Sequence, residues 1–465
     1  MMRRRASAPD WRVLMAVFLG VCIAASLLLY YASHLCELAY QMLLAPCAFL
    51  FAGLALFDTD AFRGLPGRIL LGLFAWFFLS LLVNEKAYGS LLENRSYLYA
   101  LAIQVFVCFP LWPVLTGARR EKTLAWLARL AVLLVGLACA FGVYAACTNQ
   151  YFEPWANMDY GVGIFRKMNG DGSLYRLTIL CHANSVGLIG GVSLLLGVWL
   201  LLTKRSLPEK LLVGAACIAM YAAVALSVSR TAMLAVSAGM ALFAFRFVCI
   251  KLREKKPLLR FSAALAGGIV LLVLTYALFS PAVSLVTQPA ANAPAQSVEA
   301  SVAEAAPEQT APEDGPLVAE RPLTADVVAF SGRPFIWKQA ISTFGGRPLP
   351  WLFGYSPSEV GEQVGPSLLI WTTQMHSSFV QILIASGLPC LALFLLFCAV
   401  LAVRCVRLYF GGRTGSTGLG YLPAILVPIM VFALMESFLV IYPQPYFASL
   451  WFFLLAGVAC TEGAK

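Results

Sequence analysis

Residues 177–202 read LTILCHANSVGLIGGVSLLLGVWLLL, a run that contains no Asp, Glu, Lys or Arg. About twenty apolar residues in a helix cross the hydrocarbon layer of a membrane, and this run is long enough to do so. Similar runs recur along the whole chain. Only 12% of its 465 residues are charged and 60% are hydrophobic, whereas a soluble domain carries about 25% charged residues. We therefore expect an all-α polytopic membrane protein.

Twelve transmembrane helices are expected from these runs. The basic N-terminus, residues 1–5, precedes an apolar run without a small-residue cleavage site, which favours a first membrane helix over a removed signal peptide. The predicted spans are 12–32, 38–57, 69–84, 97–115, 123–147, 177–202, 208–227, 230–250, 258–280, 377–403, 420–441 and 443–461.

The distribution of Lys and Arg indicates the orientation of these spans. Most of these residues fall in loops on one side, if the N-terminus is placed in the cytoplasm. The net charge of +10 is thus explained as a topology signal and gives no reason to expect a nucleic-acid partner. Both termini are expected in the cytoplasm.

The chain is expected to divide into three parts. Residues 1–280 would hold helices one to nine, residues 281–376 a large loop on the outer face, and residues 377–465 helices ten to twelve. Within the loop, residues 288–325 are rich in Ala, Pro and Glu and are expected to be disordered. Residues 333–375 are expected to be partly helical, with one short amphipathic helix in Phe335–Phe344.

Three arginines and one histidine are predicted at the same outer depth. Arg176 opens the sixth span, Arg230 opens the eighth, His376 opens the tenth, and Arg333 lies in the large loop. Each alone has an ordinary explanation, because Arg at a helix end reaches lipid phosphate and His at a helix start can cap or pack. Together they oppose the positive-inside bias. Arg binds phosphate oxygens through two parallel hydrogen bonds, and His can accept a proton near neutral pH.

Four segments resemble the O-antigen ligase and polymerase superfamily of bacterial envelope glycosyltransferases. His376-Ser377, nine further residues and then Gly387-Leu388-Pro389-Cys390 follow the family's histidine element, with Cys390 where Gly, Thr or Tyr is commoner. The other elements are Arg230-Thr231-Ala232-Met233-Leu234, the stretch from Arg176 to Gly187 with Ala183 in place of the usual Pro, and Gly332-Arg333 followed by Ile336-Trp337. The resemblance is closest to an O-antigen ligase.

The resemblance implies a fold of the GT-C class and a reaction that needs no metal or other cofactor. Members move a glycan from undecaprenyl pyrophosphate to a hydroxyl at the periplasmic face of the bacterial inner membrane. For a ligase, the acceptor is a sugar of the lipid A core. Beyond membrane lipids, the expected partners are this carrier-linked donor and this acceptor.

The same resemblance assigns roles to the four basic residues. Arg176, Arg230 and Arg333 would bind the pyrophosphate, and His376 would orient or deprotonate the acceptor hydroxyl, or contact the phosphate itself. Supporting roles are open for four further residues: Glu436, Ser377, His182 and Asn184. For His182 and Asn184, hydrogen bonds between helices are the favoured interpretation.

Other functions remain open at this point. An O-antigen or exopolysaccharide polymerase would use the same carrier, and no motif separates it from a ligase. A protein O-oligosaccharyltransferase or a secondary transporter ranks lower. Transporter sites lie near the membrane midplane, whereas the ionisable residues here gather at one face. The 13 cysteines form no CxxC pair, so no metal site is predicted.

Overall fold

The structure is a computed structural model that describes most of the chain beyond residue 60. The described residues are 60–88, 91–111, 117–148, 150–153, 161–169, 172–203, 206–279, 295–296, 333–368, 374–410, 418–440 and 447–462, with a few separate positions before residue 54. The first two predicted spans, 12–32 and 38–57, lie outside these ranges except at those positions. The same holds for the predicted disordered stretch 288–325, apart from residues 295–296.

The described chain is mainly helical. Its α-helices, numbered in chain order, are α1 Asp60–Arg63, α2 Leu65–Tyr88, α3 Arg95–Ile103, α4 Gly117–Cys147, α5 Ala183–Leu202, α6 Leu207–Leu226, α7 Arg230–Lys251, α8 Pro257–Ala277, α9 Arg333–Ser342, α10 Pro348–Phe353, α11 Val360–Leu368, α12 Ser378–Phe410, α13 Pro423–Met435 and α14 Phe447–Glu462. A π-helical turn, Gln104–Cys108, continues α3, and a 3₁₀ turn, Gly418–Tyr421, precedes α13.

Eight helices in the described ranges are long and apolar enough to cross a membrane. They correspond to the third span and to the fifth through eleventh, so the prediction of a polytopic membrane protein is confirmed. The fourth and twelfth predicted spans correspond to shorter apolar helices, Arg95–Cys108 and Phe447–Glu462. Of the eight, α5 is the most enclosed by protein and α8 the least. A broad face of α8 is therefore available to lipid.

Small residues allow the central helices to approach closely. A Cβ added to Gly187 would overlap Ser229 and Ala232, and one added to Gly191 would overlap Val236. Glycine therefore lets the backbone of α5 lie directly against α7. Small residues at such positions are typical of closely packed transmembrane helices.

A small β-sheet precedes α5, and the sequence analysis did not predict it. Strands β2 Val162–Asn169 and β3 Gly172–Ile179 form an antiparallel hairpin. Two short strands, β1 Tyr151–Phe152 and β4 Ala295–Gln296, pair with β2. The predicted start of the sixth span at residue 177 is therefore wrong, and Arg176 lies on a strand instead of opening a helix.

The eleventh span is also shorter than predicted. Helix α13 ends at Met435, and Glu436 has extended backbone angles, φ −145° and ψ 147°. The chain is already non-helical at Glu436, five residues before the predicted end at 441. Glu436 therefore stands at the end of the helix rather than within its last turn.

A helix of the 333–368 segment packs against a break in α12. Gly387 has φ 82°, and a Cβ there would overlap the backbone of Leu352 and Phe353 at the end of α10. Gly354 has φ 65°, and a Cβ there would overlap Ala385. Both positions need glycine, because other residues rarely adopt these angles and a side chain would not fit.

Hydrogen bonds hold this contact from both sides. The Tyr355 amide donates to the Ile384 carbonyl at 2.9 Å, on the α12 side. Asn84 of α2 donates to the Phe353 carbonyl at 3.1 Å, and Trp76 of α2 donates to the Leu352 carbonyl at 3.2 Å. Helix α10 is thus fixed between α2 and the first part of α12, within the histidine element.

Candidate active site

Glu436 is the centre of a polar cluster. Its Oε1 accepts a hydrogen bond from Asn184 Nδ2 at 3.0 Å and pairs with Arg333 Nη2 at 2.8 Å. Its Oε2 lies 3.3 Å from His376 Nδ1. One carboxylate therefore joins the start of α5, the start of α9 and the residue that precedes Ser377 and α12.

Ser378 holds the Glu436 backbone in place. Its hydroxyl donates to the Glu436 carbonyl at 2.8 Å and accepts from the amides of Phe438 and Leu439, each at 3.1 Å. These backbone groups follow the end of α13 and have no helical partner. A second link joins the Ser377 amide to the Ser437 hydroxyl at 3.2 Å. The position of Glu436 is thus set by hydrogen bonds from α12.

His376 is held by its neighbours in a rarely populated backbone conformation, with φ 49°. The Met375 amide donates to Gln381 Oε1 at 2.9 Å, and Trp337 of α9 donates to the Met375 carbonyl at 2.8 Å. The His376 side chain is 37% exposed, against 16% for Glu436. One ring nitrogen therefore faces a partly buried carboxylate, while part of the ring remains accessible to a substrate.

Arg176 reaches the cluster through Asn184. Its Nη2 donates to Asn184 Oδ1 at 2.5 Å, and its Nε donates to the Ser227 carbonyl at 2.9 Å. The amide of Asn184 thus bridges Arg176 and Glu436. His182 caps α5, because its Nδ1 accepts from the Asn184 backbone amide at 3.2 Å.

These contacts partly match the expectations for His182 and Asn184. Asn184 does link two helices, since it joins the start of α5 to Glu436 at the end of α13. His182 accepts a hydrogen bond from the Asn184 amide at the start of its own helix.

Arg230 begins α7 three residues after Ser227, whose carbonyl accepts from Arg176. The turn between them is tight, with Val228 at φ 50° and the Ser229 amide donating to Ser227 Oγ at 3.3 Å. Gly187 of α5 packs against Ser229. Arg230 is therefore placed beside the cluster by its backbone.

Unusual backbone angles concentrate around this cluster. Five non-glycine residues in the described chain have positive φ, and four of them are Leu180, Val228, His376 and Val440. Each lies within four residues of a cluster member or is one itself. For β-branched valine such angles are uncommon, and strained residues of this kind collect at functional sites.

The arrangement suits an anionic ligand. Arg176 and Arg333 each carry a positive charge, and Arg230 adds a third nearby. Glu436 pairs directly with Arg333 and is linked to Arg176 through Asn184. In the described chain no three His, Cys, Asp or Glu side chains lie together in a way that could hold a metal ion.

Three further serines belong to the site and were not predicted from the sequence. Ser227 accepts from Arg176 through its backbone, Ser378 fixes the segment after α13, and Ser437 accepts from the Ser377 amide. For Ser378 and Ser437 the available signal was position, since each lies next to a predicted site residue. At Ser377, the contact in the structure is made by the backbone and not by the hydroxyl.

Comparison with protein families supports the resemblance seen in the sequence. Residues 215–395 match the family model described as O-antigen ligase. The chain is similar to this family over these residues. The matched segment contains Arg230, Arg333 and His376, while Arg176 and Glu436 lie outside it. The match does not separate ligases from polymerases, and a search of the curated proteins gives no match.

Proposed function

We propose that this protein transfers an O-antigen glycan from undecaprenyl pyrophosphate to a sugar hydroxyl of the lipid A core. The observation that carries the proposal is the cluster around Glu436. It brings Arg176, Arg333 and His376 into one hydrogen-bonded network, with Arg230 beside it. A pyrophosphate leaving group and a hydroxyl nucleophile need these two kinds of side chain side by side.

The reaction exchanges one bond at the anomeric carbon of the glycan. The bond from this carbon to the pyrophosphate oxygen breaks, and its electron pair leaves with undecaprenyl pyrophosphate. The acceptor oxygen forms the new bond, and its proton passes to His376. Arginines placed beforehand around the leaving oxygen stabilise the charge that develops there.

Arg230 is proposed to bind the pyrophosphate with Arg176 and Arg333. Arg230→Ala should weaken binding of undecaprenyl pyrophosphate, because the paired hydrogen bonds of Arg to phosphate oxygens are lost. Binding is measured with the purified protein in nanodiscs. Arg129→Ala is the matched control, since Arg129 pairs with Glu209 at 2.7 Å, at the opposite end of α6 from Ser227. Equal carrier binding by wild type and Arg230→Ala would contradict this role.

The acceptor is tested by offering both alternatives to the purified protein. One reaction contains carrier-linked glycan and lipid A core, and the other contains carrier-linked glycan alone. Glycan attached to lipid A core is the expected product. Elongation of the carrier-linked glycan without transfer to lipid A core would instead identify a polymerase, and absence of both products would contradict the proposed reaction.

The site is proposed to face the periplasm, with both termini in the cytoplasm of the bacterium. The supporting observation is the bias of Lys and Arg toward the other set of loops. A single cysteine introduced at exposed Gly346, in a cysteine-free version of the protein, should react with an impermeant maleimide added to whole spheroplasts. Labelling only after lysis would reverse the orientation.

A further inference from the structure

Glu436 presents its two oxygens to different partners. Oε1 accepts hydrogen bonds from the side-chain amide of Asn184 and from the guanidinium of Arg333, while Oε2 faces the imidazole of His376, at 3.3 Å from Nδ1. A carboxylate paired with arginine is an acceptor and has no proton to offer. The hydrogen bond to His376 therefore requires the proton to be on Nδ1.

We infer that Glu436 is a positioning residue that fixes His376 in the tautomer with hydrogen on Nδ1. Nε2 then carries the lone pair, on the side of the ring away from the Glu436 carboxylate. The hydrogen bond made by one ring nitrogen decides which nitrogen of a neutral imidazole is protonated. This inference rests on the proposed function in one respect, because Nε2 would be the atom that accepts the proton of the acceptor hydroxyl.

The backbone around His376 does not depend on the Glu436 carboxylate. Met375 is held by Gln381 and Trp337, and the Glu436 carbonyl is held by Ser378. A change confined to the carboxylate should therefore alter the ring's hydrogen bond and leave the loop in place. The separation of 3.3 Å is longer than a typical N–H···O bond, as is common in catalytic sites before substrate binds.

Two arginines are connected to the carboxylate by hydrogen bonds, and Arg230 lies beside them at the start of α7. Arg333 approaches from α9, and Arg176 approaches from β3 through the bridging amide of Asn184. Both remain when Glu436 is replaced by Gln. Loss of the negative charge leaves these arginines available to pyrophosphate, so carrier binding should not weaken. A merely structural role for Glu436 would impair carrier binding and turnover together.

Glu436→Gln should invert the tautomer. The Gln oxygen can still accept from Arg333 and Asn184, which turns its NH₂ group toward Nδ1. That group donates, so Nδ1 becomes the acceptor and Nε2 holds the proton. The general base is then lost, and turnover should fall by about 10²–10⁴-fold, which is the usual contribution of a general base. Glu436→Asp keeps a carboxylate and should recover part of the turnover.

The direct test is the tautomer itself, measured by nuclear magnetic resonance on protein labelled with ¹⁵N-histidine in nanodiscs. The chain has only three histidines, and His376→Ala identifies the signal of His376. The spectra are recorded at alkaline pH, where an ordinary imidazole is neutral. We expect hydrogen on Nδ1 in wild type and on Nε2 in Glu436→Gln, with no change in the control Glu209→Gln.

The outcomes separate this inference from the proposed function. Hydrogen on Nε2 in wild type, or an unchanged His376 signal in Glu436→Gln, would overturn the inference even if the protein transfers glycan. The expected tautomers in a protein that transfers glycan to neither acceptor would leave the positioning role intact and reject the proposed function.

Discussion

Replacing Gly387 by Ala should displace α10 and destabilise the protein. Gly387 has φ 82° and ψ 174°, a region that is almost exclusive to glycine, where another residue costs about 1–3 kcal/mol. The added methyl would also overlap the backbone at the end of α10, and such overpacking costs about 1–3 kcal/mol. The two costs together are about 2–6 kcal/mol, a large part of the 5–15 kcal/mol that stabilises a typical domain.

Thermal unfolding of the purified protein, with transfer activity measured in parallel, tests this expectation. The displaced segment begins with α9, which carries Arg333 and bonds to Met375 through Trp337, so activity should fall as well. Gly214→Ala is the matched control, because Gly214 is helical and an added Cβ meets nothing within 4 Å. Its unfolding temperature should stay the same or rise, since Ala favours helix. An unchanged unfolding temperature in Gly387→Ala would refute the role assigned to this glycine.

Two further changes test the surroundings of the site. Ser378→Ala removes the hydroxyl that bonds to the backbone of residues 436–439. It should lower the free energy of unfolding by about 1–3 kcal/mol, as for buried groups left unpaired, and should also lower turnover. A variant with wild-type unfolding and turnover would contradict this. Partial burial is the main cause that raises the pKa of Glu359 in the folded protein, and the negative charges of Glu362 and Glu93 raise it further. The folded state therefore binds this proton more tightly, so stability should decline as pH rises from the ordinary Glu value through the raised one. Glu359→Gln should flatten that part of the curve of unfolding temperature against pH, and an identical slope in wild type and variant would contradict the assignment.

The membrane helices could be predicted from composition, because an apolar run of sufficient length forms a helix in lipid. The hairpin before α5 was not predicted, because Leu177 and Ile179 are apolar and residues 177–179 were assigned to the following helix. A turn signal was present in Asn169-Gly170-Asp171-Gly172, because Asn-Gly and Asp-Gly steps favour tight hairpins. Arg176 therefore lies on β3 and not on a helix as predicted, but it is still close to the start of α5.

The end of α13 could not be predicted from the sequence. The residues after Met435 include no Gly or Pro until Pro443, so a longer helix was expected. The helix ends early in the structure, and the Ser378 hydroxyl satisfies the backbone of the following segment from another helix. That contact depends on the tertiary fold and leaves no local signal. The contacts of Glu436 likewise depend on the tertiary fold, because its partners are 252, 103 and 60 residues away in the chain.

The rate of a single round of transfer, compared between wild type and His376→Ala, tests the central claim most directly. Both proteins are loaded with carrier-linked glycan, mixed with lipid A core and quenched at intervals. The account predicts that His376→Ala inserts into the membrane and transfers glycan at least about 10²-fold more slowly. Transfer by His376→Ala at the wild-type rate would contradict it.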